Sequence, residues 1–266
     1  MLVTYNISQN FCANLKSPKL NFKPEDFFIK IDGYGNNEQW AKEIIENADT
    51  AVDMFRTKED AEDVLRYIAT STRVAGRNFD DIHKKNNTGV LRTERNWWHY
   101  RECDIFTPYD GKKYTNYADR FDKVSHQPLK DSYNRQLSMT RPSNIFSAKL
   151  FHGMSENINF ALDYVFKLSK NIVPKYIIQD VKPQNLQEIN ETMAEIRWIL
   201  AHSTPWIRGS DAISNIFMRT MYKAIGVKTY PIRKGISLDL EAYCTNLDEY
   251  KKLFPSYFDN PPKIIE

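Results

Sequence analysis

The chain has 266 residues, a length that forms one large domain or two small ones, and its hydrophobic fraction of 41% is ordinary for a globular protein. Its 37 Lys and Arg residues against 34 Asp and Glu residues give a formal net charge of +3, without the basic runs typical of nucleic-acid-binding proteins. Cys12, Cys103 and Cys244 have no paired metal-ligand spacing and no apolar run reaches the length of a membrane span, which argues against a disulfide framework, a zinc site and a spanning helix.

The first third of the chain changes from an irregular to a helical pattern. Residues 1–36 mix polar residues with short apolar pieces, and we assign them as an N-terminal extension in which 27–33 predicts a short strand or buried turn. Apolar residues then recur at helical spacing over 40–55 and again over 61–68. This spacing predicts two amphipathic helices at the start of one domain over 37–253.

An arginine-rich and aromatic stretch follows, from Leu91 to Glu102. Arg95 and Arg101 lie among Trp97, Trp98 and Tyr100, and guanidinium groups both bind phosphate and stack on rings, so we name these two arginines as candidate residues for binding a phosphate and a base. The alternative is an amphipathic helix that buries Trp97 and pairs its arginines at the surface.

A rigid turn is predicted directly after this stretch, because Pro108-Tyr109-Asp110-Gly111 combines a preset proline dihedral with a permissive glycine. Thr107, which precedes the turn, is a candidate for one wall of a cleft, since functional residues concentrate on such loops. A plain hairpin with polar decoration is the alternative.

The middle of the chain is less regular. A flap or insertion is predicted near 120–150, where prolines and polar residues show no clear period. Helical spacing resumes over 158–168, and 172–182 predicts a short strand or an extended link.

A helix, a tight connection and a second helix are predicted between Met193 and Gly226. Apolar residues at helical spacing lead up to Pro205, which cannot continue a helix. A second amphipathic run then opens at Ser210, and Gly226 is its expected C-terminal stop.

The start of the second helix is a candidate anion site. Arg208, Gly209 and Ser210 place a permanently charged fork beside unpaired backbone N–H groups and the positive end of the helix dipole. The alternative is a capped core helix whose preceding Arg208 pairs with a carboxylate.

Two residues are candidate catalytic bases. His202 lies just before the connection, although a lone histidine beside Trp198 and Trp206 is more often structural. Asp239 lies near the start of another predicted helix, and if its loop folds back over the Arg208 helix, a carboxylate, a guanidinium and a helix N-terminus converge.

Residues 188–253, about a quarter of the chain, resemble the AvrB family, type III effectors of plant pathogens whose fold is related to Fic/Doc proteins. The spacing from Arg208 to Asp239 agrees with that family, and Thr107-Pro108 is similar to its Thr-Pro loop. The resemblance is carried by Met193-Ala194-Glu195-Ile196-Arg197-Trp198, Pro205-x-x-Arg208-Gly209-Ser210-x-Ala212, Gly226-Val227, Pro231-Ile232-Arg233-Lys234-Gly235, Asp239-Leu240-Glu241-Ala242 and Leu247-Asp248-Glu249-Tyr250-Lys251-Lys252-Leu253.

The resemblance implies a mainly α fold with minor β structure, namely a Fic/AvrB-like helical core with an additional helical subdomain. From the residues themselves, including Pro261-Pro262, we expect 254–266 to form a frayed C-terminal tail. The resemblance also implies that Thr107, Arg208 and Asp239 line the ligand or target pocket. The implied activity is transfer of a deoxysugar such as rhamnose from a dTDP- or UDP-linked nucleotide sugar to a Ser/Thr hydroxyl of a host protein. Such an effector is made in the bacterial cytoplasm and delivered into a host cell.

Two other functions stay open. A Fic-type nucleotidyltransferase would use ATP and His202, but the chain lacks the Asn-Gly-Arg triplet of that motif. A non-catalytic effector would use the cleft to bind a host peptide. No metal, nucleic-acid partner or acyl anchor is expected, the last because Leu2 stands where myristoylation needs glycine.

Overall fold

The computed structural model describes residues 20–31, 36–77, 87–93, 102–104, 120, 129–137, 139, 141–144 and 147–265. This part of the chain is mainly helical, which confirms the predicted fold class. Its helices are α1 (Glu38–Arg56), α2 (Ala61–Arg77), α3 (Ile158–Ile178), α4 (Leu186–Ser203), α5 (Ser210–Ala224), α6 (Leu238–Tyr243) and α7 (Leu247–Leu253).

The described strands form two small antiparallel sheets. In the first, β3 (Ser147–Phe151) lies between β1 (Glu102–Asp104) and β2 (Arg141–Asn144). In the second, β4 (Val227–Lys228) pairs with β5 (Lys263–Ile264). Two strands of the first sheet thus occupy the region near 120–150 where the sequence predicts a flap.

Helices α4 and α5 form the centre of the core. Helix α4 packs against α3, α6 and α7, and α5 packs against α1 and α2. From Met193 to Ser203 almost every side chain of α4 is buried, so the second half of this helix has no solvent-facing side. Polar residues in that half must therefore find partners inside the protein.

One local prediction is wrong. Residues 172–178 continue α3 instead of forming a strand, and Pro174 lies inside the helix, where Ile172, Val173 and Tyr176 bury their side chains in the core. Tertiary burial outweighed the local pattern there. Of the predicted strand or buried turn over 27–33, the described residues 27–31 form no strand, and Phe27, at the end of a 3-10 turn over 24–27, and Ile31 are buried.

The end of the chain belongs to the core and is not a frayed tail. Phe254, Tyr257 and Phe258 are buried, and Phe258 pairs with Ile232 through an isolated β-bridge. The backbone N–H of Asp259 donates to the carbonyl of Pro231 over 2.8 Å. Within the part of the chain that the structure describes, none of the helices is both long and apolar enough to cross a membrane.

Candidate functional site

The connection between α4 and α5 is held by backbone hydrogen bonds to a neighbouring segment. Helix α4 ends at Ser203, Thr204 takes a left-handed φ of 39°, and Gly209 takes a φ of 81° just before α5. Residues 87–92 run alongside this connection and bond to its backbone at both ends. Gly89 N–H donates to the Arg208 carbonyl over 3.0 Å, and Arg92 N–H donates to the Pro205 carbonyl over 2.8 Å.

The buried side chain of Arg92 caps the C-terminus of α4. Its Nε and Nη2 donate over 2.6 Å each to the carbonyls of Thr204 and Ser203, and its Nη1 donates over 3.3 Å to the Gly153 carbonyl. A cation is favoured there because the last carbonyls of a helix are unpaired and carry the negative end of its dipole. No sequence pattern assigned this role to Arg92, although the residue lies in the arginine-rich stretch from Leu91 to Glu102.

The start of α5 has the features expected of an anion site. No side chain caps the helix, and the Ser210 hydroxyl instead donates to the Trp206 carbonyl over 3.1 Å. Arg208 is exposed, and among the described residues its guanidinium makes neither an ion pair nor a hydrogen bond. The alternative in which Arg208 pairs with a carboxylate therefore has no support in this part of the chain.

Asp239 does reach the start of α5, but the guanidinium that meets it belongs to Arg197. Arg197 projects from α4, donates to Asp239 from Nη1 over 2.5 Å and donates to Asp211 from Nη2. Its side chain is 0% exposed, whereas those of Asp211 and Asp239 are 25% and 14% exposed. The two carboxylates therefore form a partly exposed pair on a buried arginine, which we call the Asp211–Asp239 pair.

The electrostatics of this pair are unusual. Burial raises the pKa of Asp211, as do the charge of Asp239 and a hydrogen bond between the two carboxyl groups, and together they outweigh Arg197 and bring the pKa to about 7. Burial lowers the pKa of Arg197, but the charges of Asp239 and Asp211 outweigh it and hold that pKa above its ordinary value. The pair can therefore bind one proton near neutral pH.

Tyr250 of α7 lies close to Arg197 and the Asp211–Asp239 pair. Its buried hydroxyl donates to the Leu238 carbonyl over 3.2 Å, next to Asp239 in the chain, and burial raises its pKa well above the ordinary value. A neutral hydroxyl held in this way helps to position the first turn of α6.

Glu241, two residues after Asp239 on α6, forms a second ion pair, with Arg120. Arg120 donates to both carboxylate oxygens of the nearly buried Glu241, over 3.0 and 2.7 Å. A two-pronged contact of this kind holds both partners in a fixed orientation. No local sequence signal predicts this ion pair, because its two residues are far apart in the chain.

His202 lies in the core. Its Nε2 is 3.0 Å from the Ala242 carbonyl, and its ring packs against Trp198 and Tyr243 with centroid distances of 4.1 and 5.4 Å. The residue has no exposed surface, which agrees with the structural alternative for this histidine.

The remaining site predictions lie outside the described residues. Thr107, Arg95 and Arg101 are all in this group, so their roles stay predictions. Among the residues whose placement is described, no group of three or more His, Cys, Asp or Glu side chains is arranged to hold a metal ion.

Comparison with known proteins identifies the family. The model of the AvrB_AvrC family, described as avirulence protein, matches residues 114–261, which is more than half of the chain and includes helices α3 to α7. No curated protein matches the sequence. The chain therefore belongs to the AvrB_AvrC family of avirulence proteins, which makes it a bacterial effector with a host protein as its target.

Proposed function

We propose that this effector is a transferase that moves a glycosyl group from a nucleotide sugar to a Ser/Thr hydroxyl of a host protein. The observation that carries the proposal is the first turn of α5, where an exposed Arg208 and an uncapped helix start lie within three residues of Asp211, a member of the Asp211–Asp239 pair. Anion-holding groups and an acid/base pair are the two components that such a transfer needs.

The start of α5 fits the diphosphate of the donor. The guanidinium of Arg208 matches two phosphate oxygens at once, and the backbone N–H groups of Gly209 and Ser210 lie at the positive end of the helix dipole. Following the family resemblance, the donor is a dTDP- or UDP-linked deoxysugar such as rhamnose. Arg95 and Arg101 are further candidates for the phosphates, and Thr107 is the candidate for the acceptor side.

The transfer needs one base. The hydroxyl oxygen of the acceptor bonds to the anomeric carbon of the sugar, and the bond from that carbon to the diphosphate oxygen breaks. The nucleoside diphosphate leaves with the electron pair of the broken bond. The hydroxyl proton passes to the Asp239 carboxylate, which Arg197 orients through a bond of 2.5 Å.

The placement of His202 gives no support to nucleotidyl transfer. A general base must come within hydrogen-bond reach of the hydroxyl that it deprotonates, whereas His202 is fully buried and lies 3.0 Å from the Ala242 carbonyl. The non-catalytic peptide-binding effector remains an outcome of the experiment below.

A thermal-shift screen tests the proposal. The full chain is heated with UDP, dTDP, their sugar conjugates, ATP or GTP, because a ligand that binds only the folded state raises Tm. We expect a nucleotide sugar at about 100 times its Kd to raise Tm by several degrees, and Arg208→Ala to abolish most of that rise.

Arg66→Ala is the matched control, since Arg66 is an exposed arginine of α2 away from the site. It should leave the ligand-induced rise unchanged. A rise produced by ATP alone would favour nucleotidyl transfer. The absence of a rise with every ligand would contradict the proposal and favour the peptide-binding effector.

A further inference from the structure

The Asp211–Asp239 pair has more negative charge than a structural ion pair requires. Asp211 comes from the first turn of α5 and Asp239 from the first turn of α6, and each bonds to a different terminal nitrogen of Arg197 on α4. One guanidinium balances one carboxylate. When both carboxylates are ionised, one negative charge is left over in a site that is mostly shielded from water.

We propose that Asp211 and Asp239 act as one proton-sharing base, in which Asp239 takes the proton of the acceptor hydroxyl and Asp211 is a positioning residue that shares that proton. The inference rests on the proposed glycosyl transfer and deepens it. After the step, the shared proton lies between the two carboxyl groups. The pair then carries one negative charge, which matches the single positive charge of Arg197.

Two aspartates held together form a stronger base than an isolated aspartate. An isolated aspartate has a pKa of about 3.9 and accepts a hydroxyl proton poorly, whereas a base works best when its pKa lies near the working pH. Two carboxylates held together cannot both ionise easily, so their combined affinity for one proton rises. The pKa of about 7 for Asp211, raised by burial and by Asp239, agrees with this behaviour.

The groups that act on Asp211 come from two neighbouring helices. Arg197 of α4 opposes the rise in its pKa, and Asp239 of α6 contributes to the rise. Tyr250 of α7 donates its hydroxyl hydrogen to the Leu238 carbonyl and is uncharged at neutral pH like an ordinary tyrosine, and burial raises its pKa further. The titration of Asp211 is therefore governed by two charged groups, Arg197 and Asp239, whose effects substitution can separate.

Carbon-13 NMR of the full chain, labelled at the aspartate carboxyl carbons, tests the pair without reference to turnover. We expect a coupled titration with one apparent pKa near 7, absent from Asp211→Asn. In Asp239→Asn the titration of Asp211 should fall by more than about one pH unit, because the like charge is gone while Arg197 remains. Asp248→Asn, at an exposed position of α7, is the matched control and should leave the coupled titration intact.

Independent titration of both carboxyl groups near the ordinary aspartate value would overturn the proposal. A proton–nitrogen correlation spectrum of each variant shows whether it is folded. If Asp239→Asn does not fold, the wild type and Asp211→Asn still decide the outcome, because in a coupled pair the Asp239 carboxyl signal also shifts near pH 7 and loses that shift when Asp211 is replaced.

The pH profile of donor turnover tests the role of the pair in the reaction. With the UDP- or dTDP-sugar selected by the thermal-shift screen, wild-type turnover should rise between pH 6 and 8. Asp211→Asn should be flat over that range and about tenfold slower at pH 8, because the proton taken from the acceptor then has no second carboxylate to share it. A purely structural role for Asp211 would lower turnover by the same factor at every pH.

The outcomes separate this inference from the proposed function. Turnover of a donor with the same pH profile in wild type and Asp211→Asn contradicts only the proton-sharing base. Coupled titration in a protein that turns over no nucleotide sugar contradicts the glycosyl transfer and, with it, the role of the pair as a base.

Discussion

His202 illustrates how burial changes the role that a residue type suggests. An imidazole near a helix end is a reasonable general base in sequence, but this ring fits between Trp198 and Tyr243 and bonds to the Ala242 carbonyl. Its polar atoms link α4 to α6, and its ring fills the space between them. A residue in this position contributes through packing and through buried hydrogen bonding such as that to the Ala242 carbonyl.

We therefore predict that His202→Ala lowers stability and leaves the donor site intact. The substitution removes a buried ring and orphans a carbonyl, which should cost on the order of 2–4 kcal/mol in the free energy of unfolding. Urea denaturation measures that cost, and the nucleotide-sugar shift, measured relative to the variant's own Tm, should be preserved. Wild-type stability together with loss of ATP binding would instead favour the nucleotidyltransferase.

At the scale of elements, the segment 87–93 holds the α4–α5 connection against α2. Gly89 takes a φ of 70°, and a Cβ placed there would lie 2.2 Å from the Ala69 carbonyl oxygen. Gly89 is therefore required both for its backbone conformation and for close approach to α2. Through its bond to the Arg208 carbonyl, the same residue helps to position Arg208.

Gly89→Ala should be clearly more destabilising than Gly226→Ala. Both glycines have positive φ values, which cost alanine about 1–2 kcal/mol, but a Cβ at Gly226 meets nothing within 4 Å. The difference between the two variants in the free energy of unfolding, measured by denaturant titration, isolates the cost of the clash with α2. Equal losses of stability would show that the close approach is not maintained in solution.

At the scale of the whole molecule, residues near the C-terminus contact both the N-terminal part of the described chain and helix α5. Lys30 forms an ion pair with Asp259 over 2.6 Å, and the Arg219 guanidinium of α5 lies 5.8 Å from the ring centroid of Phe258. Burial lowers the pKa of Arg219 to about 10, although Asp26 of the N-terminal segment opposes the shift. Segments from both ends of the chain thus pack around one helix of the core.

A chain that ends at Leu253 should lose the cooperative unfolding transition or show a much lower Tm, because it lacks three buried aromatic side chains. A chain that ends at Ile264 keeps β5 and is the matched control, with a Tm close to that of the full chain. Differential scanning calorimetry distinguishes the two. Similar melting of both chains would show that 254–264 contributes little to the core.

The sequence by itself determined the elements whose signals are local. Pro205 and Gly226 mark the ends of α4 and α5, because a proline removes a backbone donor and a glycine tolerates a left-handed conformation. The helical spacing of apolar residues predicted individual helices, and the motifs around Arg208 and Asp239 carried the resemblance to the AvrB family, which implied the mainly α fold. The match over 114–261 confirms the family.

Only the tertiary structure decided which groups meet. The sequence predicted that Asp239 meets the Arg208 guanidinium only if its loop folds back over that helix. The buried partner is instead Arg197, 42 residues from Asp239 in the chain, and Asp211 joins it. Periodicity shows which residues share a face of a helix, but it does not show which other helix covers that face. An ion pair between distant elements depends on how those elements pack, so the Asp211–Asp239 pair became visible only in the folded chain.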